Sequence, residues 1–462
     1  MKIRTSTGIV LGFVLLLNMG MSAYMYRALS ESDPRQGDIS SDLKELSVQV
    51  EKLTNHVESL TKFVESKHGT ILSLRTVDPD KPDALLEDGI VKIGVITSTS
   101  KDFNDYEKYV REIIEVDVNT YTQYIGGDVG FVFEVADAQG QAARHLEIVQ
   151  EMNADGIRII IGGMWSSQLC ASRSYCNDNG IILFSPSSTS PLLSIEDDNV
   201  FRLAPTDFEQ GSVIAKMLES KGIKAVIVIH RGDAWGDGIY ESFESEFNKS
   251  GGMIFNRIRY RGETIDFTPY LQAAEEIAKD AVSKYGQEHI AVELISFAES
   301  VELVRQLKDY PTLYNLQWFG SDGTLNSQQM IQEVPGEAAR IGLYSPVPEA
   351  AKTDKYNDLV LRYHQYTGED LGYYTACSYD IAMILAKAVI EANTLEVNTL
   401  KRAIMDVSQG YQGVTGLCAL DKYGEREKSS YCIYEYSVRD GDYGCWESGF
   451  YSDLGTITWN SN

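Results

Sequence analysis

The stretch Ile157-Arg158-Ile159-Ile160-Ile161-Gly162-Gly163-Met164-Trp165-Ser166-Ser167 decides the fold. Its isoleucine run reads as a strand buried on both faces. The two glycines turn the chain, and two hydroxyl residues open a helix expected over 166–178. A strand feeding a helix through a tight turn is the building unit of a parallel sheet with helices packed on it. Outward from this point the unit repeats. Further strands are expected at 91–96, 131–135 and 181–184, with helices around 104–118 and 140–154. A second series after Arg202 gives helix 208–221, strand 225–229, helix 237–249, strand 253–260, helix 267–284, strand 291–295 and helix 299–308. The pattern predicts an α/β protein with two Rossmann-like, doubly wound lobes. Each lobe sets its loops and helix N-termini at the carboxyl edge of its sheet, so two facing edges enclose a cleft.

The chain has 462 residues, with 67 acidic against 41 basic side chains and a formal net charge of -26. Such a charge disfavours nucleic acid and anionic lipid surfaces, which require a positive field. Hydrophobic residues at 43%, aromatics at 10% and only 11 prolines exclude a disordered or collagen-like chain.

Before the α/β part, residues 5–26 carry no charge and lie between Lys2 and Arg4 on one side and Arg27 on the other. The run predicts a transmembrane helix with a cytoplasmic N-terminus, the bulk of the chain being exported. The rival is a cleaved signal peptide with a small-x-small site at Gly20-Met21-Ser22. Leu43, Leu46, Val50, Leu53, Val57, Leu60 and Val64 then follow a heptad, predicting a coiled-coil stalk about 40 Å long and a parallel homodimer. An amphipathic helix folded back on the chain's own core is the alternative. The expected organisation is an anchor or signal over 1–30, stalk over 31–77 and linker over 78–90. Lobe 1 takes 91–205 and 347–420, and lobe 2 takes 206–346 and 421–462.

All six cysteines lie in the exported part, where thiols become bridged. Cys170 with Cys176, and a pair within 418–445, are the local possibilities among fifteen pairings. No C-x-x-C, H-E-x-x-H, G-x-S-x-G or Walker-type loop occurs, so neither a metal, a cofactor nor an enzymatic activity is expected.

Candidate site residues follow from strand ends. Ser166, at the turn quoted above, would place a hydroxyl and open backbone N–H groups toward an anionic group; in isolation it reads as a plain helix cap. Ser185-Pro186-Ser187-Ser188-Thr189 ends the next strand at the same edge. In the second lobe, Trp235 and Asp322 follow strand ends, and Asp322 offers a fixed carboxylate suited to an ammonium or amide N–H. His230, also at a strand end, reads as a buried, hydrogen-bonded group.

These features together resemble a known family. Val91-Lys92-Ile93-Gly94-Val95-Ile96, Ile161-Gly162 with Ser166, Ser185-Pro186-Ser187-Ser188-Thr189, Phe201-Arg202 with Asp207 and Gly211, Trp235-Gly236-Asp237-Gly238, Asp266-Phe267, Gly320-Ser321-Asp322-Gly323 and Tyr379-Asp380 occur in the order seen in type I periplasmic binding proteins. The resemblance is to the branched-chain amino acid (leucine/isoleucine/valine) binding branch that serves ABC importers. It implies three crossings between the lobes, near 205, 346 and 420. It further implies that Ser166, Ser187 (through its backbone) and Thr189 hold an α-carboxylate and Asp322 an ammonium. Tyr106, Trp235 and Tyr374 would be aromatic walls, and Ser296 would stand where the family often has an aromatic. The implied function is extracytoplasmic capture of an amino acid or small amide for an ABC permease. The alternative is a receptor ectodomain acting through a separate signalling partner.

Overall fold

The computed structural model describes residues 89–460 apart from Asp102, Asp128, Asn326, Ser327, Ala351, Lys428 and Asp453. The expected anchor and stalk, and all but the end of the linker, lie outside the described residues. Among the described residues no helix is long and apolar enough to cross a membrane.

Strands β1 (Ile90–Thr97), β2 (Gly130–Asp137), β3 (Ile159–Ile161), β4 (Ile182–Ser185) and β5 (Val200–Arg202) form a parallel sheet in the order β2-β1-β3-β4-β5. Its period-two alternation feeds two cores. Ile93, Phe133, Ile159, Ile161 and Phe184 face Ile381, Leu385 and Val389 of the helix Tyr373–Ala392. Ile96, Ile160 and Leu183 face Ile148 and Val149 of the helix Ala142–Ala154 and Leu169 of the helix Ser166–Asp178. Burial on both faces explains why these strands read as unbroken apolar runs. The expected helix at 104–118 is longer. It runs Phe103–Tyr109, passes through a π-helical turn at Val110–Ile114 and continues Glu115–Tyr124.

The second sheet joins β6 (Ala225–Arg231), β7 (Met253–Tyr260), β8 (Ile290–Ile295), β9 (Gln317–Gly320) and β10 (Tyr344–Pro348). Its two cores again lie on opposite faces. Ile227, Ile229, Val292 and Leu294 pack with Leu271, Ala274 and Ala278 of the helix Thr268–Tyr285. Val226, Val228, Ala291 and Ile295 pack with Met217, Ile239 and Phe243 from the helices Asp207–Ser220 and Ala234–Lys249. After a two-residue ribbon, β11 (Gln412–Gly413) with β12 (Gly416–Leu417), the chain returns to this sheet. There β13 (Tyr431–Arg439), β14 (Asp442–Tyr451) and β15 (Ile457–Trp459) add an antiparallel meander beside β10, giving the order β15-β14-β13-β10-β9-β8-β6-β7.

The chain thus passes between the sheets after β5, after β10 and before β13. The last two passages lie later than 346 and 420. Residue 346 is inside β10, paired with Ile433, and Glu425 and Arg426 are still joined to Arg202 of the first sheet.

The six cysteines form no disulfide, against the expectation of bridges. Cys170 and Cys176 are six residues apart on one helix, so they lie about 9 Å apart along its axis and on different sides. A disulfide needs Cα atoms about 4.4–6.8 Å apart. On the meander, Cys432 stands opposite Phe450 and Cys445 opposite Tyr436, about 13 Å out of register. Cys377 and Cys418 are buried in the core of the first lobe.

One polar side chain interrupts the second core. Glu293, in the centre of β8, is wholly buried and neither carboxyl oxygen has a hydrogen-bond partner. Burial pushes its carboxyl well above the usual value of 4.5, so the folded chain keeps a proton that the unfolded chain releases above that pH. The contribution of Glu293 to stability therefore falls as pH rises from about 4.5, by at most ~1.4 kcal/mol per pH unit. Glu293→Gln is expected to denature at higher urea than the wild type, with a gap that widens from pH 5 to pH 8; a gap independent of pH would contradict the buried, protonated state.

Candidate ligand-binding cleft

The turn between β3 and the helix Ser166–Asp178 is built on a residue that only glycine supplies. Gly163 has φ +64°, and a Cβ there would stand 2.7 Å from Leu169 Cδ1. Its N–H donates to Nε2 of His145 at 2.7 Å, while His145 Nδ1 meets Ser172 Oγ at 2.7 Å. Because Nε2 accepts, the ring proton sits on Nδ1 and the imidazole is neutral. Burial lowers its pKa to about 3. Between about 3 and 6.5 only the unfolded chain takes up this proton, so stability present above 6.5 is lost as the pH falls toward 3. His145→Leu is expected to cost about 1–3 kcal/mol at neutral pH by stranding the Gly163 N–H, and to flatten the acid limb of the urea midpoint; an unchanged acid limb would show that His145 does not set it.

Hydroxyls bind this turn to the loop after β4. Ser185 Oγ donates to Gly163 O at 2.8 Å and Ser187 Oγ to Met164 O at 2.8 Å. Ser166 Oγ accepts from Ser188 Oγ at 3.1 Å and from the Ser190 N–H at 3.2 Å. Most of the cluster therefore braces the wall. The Ser166 hydroxyl proton and the N–H groups of Ser166 and Ser167, the first two of a 13-residue helix, retain the capacity to donate to an anion.

The opposite wall comes from the second lobe. Asp233 caps the helix Ala234–Lys249, accepting from the N–H groups of Trp235 and Gly236 at 3.2 and 3.0 Å. Trp235 stacks on Phe297 at 4.0 Å, and Trp165 of the first lobe lies on Phe297 at 5.9 Å with an interplanar angle of 20°. Gly323 makes room for this stack, since a Cβ there would stand 2.5 Å from Ser296 O and 2.7 Å from the Phe297 ring. Asp322, after β9, accepts from Gly323 N–H at 3.0 Å and from the Tyr374 hydroxyl of the first lobe at 2.5 Å. The Asp322 N–H donates to Gln210 Oε1, and Gln210 Nε2 donates to Asp207. Burial raises the Asp322 carboxyl above its usual value against these bonds, and burial together with the Asp322 charge raises Asp207 further.

Between the walls lies a cavity of about 920 Å³. Ser166, Ser187, Asp322, Trp235, Tyr106 and Tyr374 all line it. Thr189 and Ser296 do not. Thr189 is 2% exposed and donates to Asp207 at 2.8 Å, beneath the wall. Ser296 is fully buried and accepts from the Tyr260 hydroxyl, and its neighbour Phe297 presents the aromatic face instead. His230 is buried, with Nδ1 at 2.9 Å from Arg231 O and Nε2 accepting from Arg257 at 2.8 Å, a structural role. Sequence reasoning missed Trp165 and Phe297, although each adjoins a residue that it singled out. It also missed His145 and Gln210, whose positions inside helices give no pattern. Among the described residues no cluster of His, Cys, Asp and Glu could hold a metal ion.

Two lobes, one on a parallel and one on a mixed sheet, with three crossings and a polar cleft at facing sheet edges, define a bilobal binding protein. Residues 90–442 match the periplasmic binding protein family model, and the chain belongs to that family. It is an extracytoplasmic solute-binding protein and not an enzyme. An uncharacterised protein of Methanocaldococcus jannaschii is 27% identical over 81% of this chain and 92% of its own length. A leucine-, isoleucine-, valine-, threonine- and alanine-binding protein of Pseudomonas aeruginosa is 21% identical over 66% and 78%. Among solved structures, a leucine-binding protein of Thermotoga maritima superposes with TM-score 0.65 at 19% identity, covering 77% of this chain and 97% of that one. A solute-binding protein of R. palustris in complex with 4-hydroxybenzoate gives 0.64 at 17%, covering 79% and 97%.

Proposed function

We propose that this protein captures an amino acid or small amide between its lobes and presents it to an ABC permease. What carries the reading is one cavity wall offering donors for a carboxylate at Ser166 and Ser167, and another offering Asp322 for an ammonium. In this scheme Ser166 and the Ser187 segment hold the acid end, Asp322 the amine, and Tyr106, Trp235 and Tyr374 enclose the rest. Thr189 acts from below, through Asp207. Contacts from both lobes give the closed form the higher affinity, which is the whole of the mechanism, since differential binding alone shifts the balance of open and closed states. The apolar run at 5–26 tethers the chain, and the heptads at 43–64 pair two copies in parallel. That stalk also favours a second reading, a sensor ectodomain that reports to a signalling chain; genes for a permease or for a kinase beside this one separate the two.

Calorimetric titration with a panel of amino acids, amides and urea tests the assignment. Asp322→Ala is expected to weaken binding about tenfold to a hundredfold, because it leaves an ammonium unpaired. Ser296→Ala, behind the wall, is expected to change affinity less than threefold. Equal effects of the two substitutions would reject the orientation, and heat from no member of the panel would reject the function.

A further inference from the structure

The acids and bases on the cavity wall are unequal. Asp105, Asp233, Asp322, Glu369 and Asp370 line it, against Lys101 alone. Two of the five carboxylates are answered locally, Asp105 by Lys108 at 2.9 Å and Asp233 by Arg231 at 2.5 Å. Arg231 is itself shared with Glu299 at 2.9 Å. Asp322 meets only neutral donors, and Glu369 has no cation within ion-pair distance among the described residues. Among the described residues the one basic group within ion-pair distance of Asp370 is His364, 3.9 Å away and exposed. If Asp322 answers the α-ammonium of a ligand, Glu369 and Asp370 remain unneutralised against Lys101.

The remaining surface suits a cation. Trp165, Trp235, Phe297, Tyr106, Tyr363 and Tyr374 all line the cavity; Trp165 and Trp235 each turn one face to Phe297, and a ring face left open attracts a positive group by about 0.5–2 kcal/mol. Arg231 already lies over a ring in this way, 5.2 Å from the centre of Phe297. The cavity, at about 920 Å³, is at the large end of small-molecule sites and leaves room beyond an α-carbon and its two polar groups. Among the described residues no arginine lines it, so a ligand with a second negative group would meet little to neutralise it.

We infer that the cleft selects amino acids with a positively charged side chain, whose far end lies against Glu369 and Asp370 while the α-carboxylate meets the Ser166–Ser167 turn. The selection rests on the solute-binding reading above and adds the ligand class. Attraction by an exposed rim is screened by salt, which makes the preference itself salt-dependent.

The test is calorimetric titration of the full-length chain in detergent with L-arginine, L-lysine, L-leucine, glutamine, urea and benzoate, at low and high salt. Tryptophan emission serves as the second readout, because Trp165 and Trp235 line the cavity. Arginine or lysine is expected to bind at least about tenfold more tightly than leucine, with a ratio that shrinks as salt rises. In a Glu369→Gln, Asp370→Asn double variant the ratio is expected to fall to about threefold or less, with leucine affinity unchanged. Tighter binding of leucine, glutamine or benzoate than of either basic amino acid would overturn the inference and leave the solute-binding reading standing. A basic preference that survives the double variant at full size would overturn the role of the rim. Silence with every compound would overturn both readings.

Discussion

The cleft depends on the left-handed turn at Gly163. It redirects a buried strand into a helix within a few residues, and it does so at the sheet edge where two neighbouring loops must also end. A side chain would collide with Leu169, and the turn's N–H would be stranded without His145. With both conditions met, the helix Ser166–Asp178 starts where its unpaired N–H groups face the cavity, and Ser185, Ser187 and Ser188 can tie the next loop to the same turn. Apart from the Ser166 proton, the wall's serine hydroxyls are bonded to one another and to the backbone, which holds the loop and the turn in one arrangement.

A second polar chain runs beneath the floor and links the lobes. Thr189 in the loop after β4 donates to Asp207 at the first crossing, Gln210 bridges Asp207 to the Asp322 backbone, and Tyr374 of the first lobe reaches Asp322 from above. Thr189, Asp207 and Gln210 are buried, Asp322 and Tyr374 are partly buried at the cavity wall, and the five come from four separate segments, Asp207 and Gln210 sharing one helix. The carboxylate on the cavity wall is thereby joined by direct hydrogen bonds to the helix that starts at the first crossing.

How much of this was legible in the sequence follows from what each feature depends on. The strand at 159–161 and the helix at 166–178 were readable because burial on both sheet faces enforces a continuous apolar run, and a glycine pair marks where it stops. The site was legible to the level of strand ends: Ser166, Trp235 and Asp322 stand there and line the cavity. Which atoms at those ends face outward was not. Thr189 and Ser296 point beneath the surface because Asp207 and Tyr260, distant in sequence, offer them partners. The cysteine expectation failed for a similar reason, since short spacing in sequence does not supply the Cα separation that a bridge needs on a helix or a ladder.

The C-terminal meander carries a consequence for biosynthesis. Because β13 is the partner of β10, and β14 and β15 pack beyond it, the second sheet lacks three of its eight strands until residues 431–459 have been made. The first lobe likewise awaits the helix Tyr373–Ala392. Each lobe is therefore completed by segments distant in sequence, and neither has its full set of packing partners while only its N-terminal part has been made.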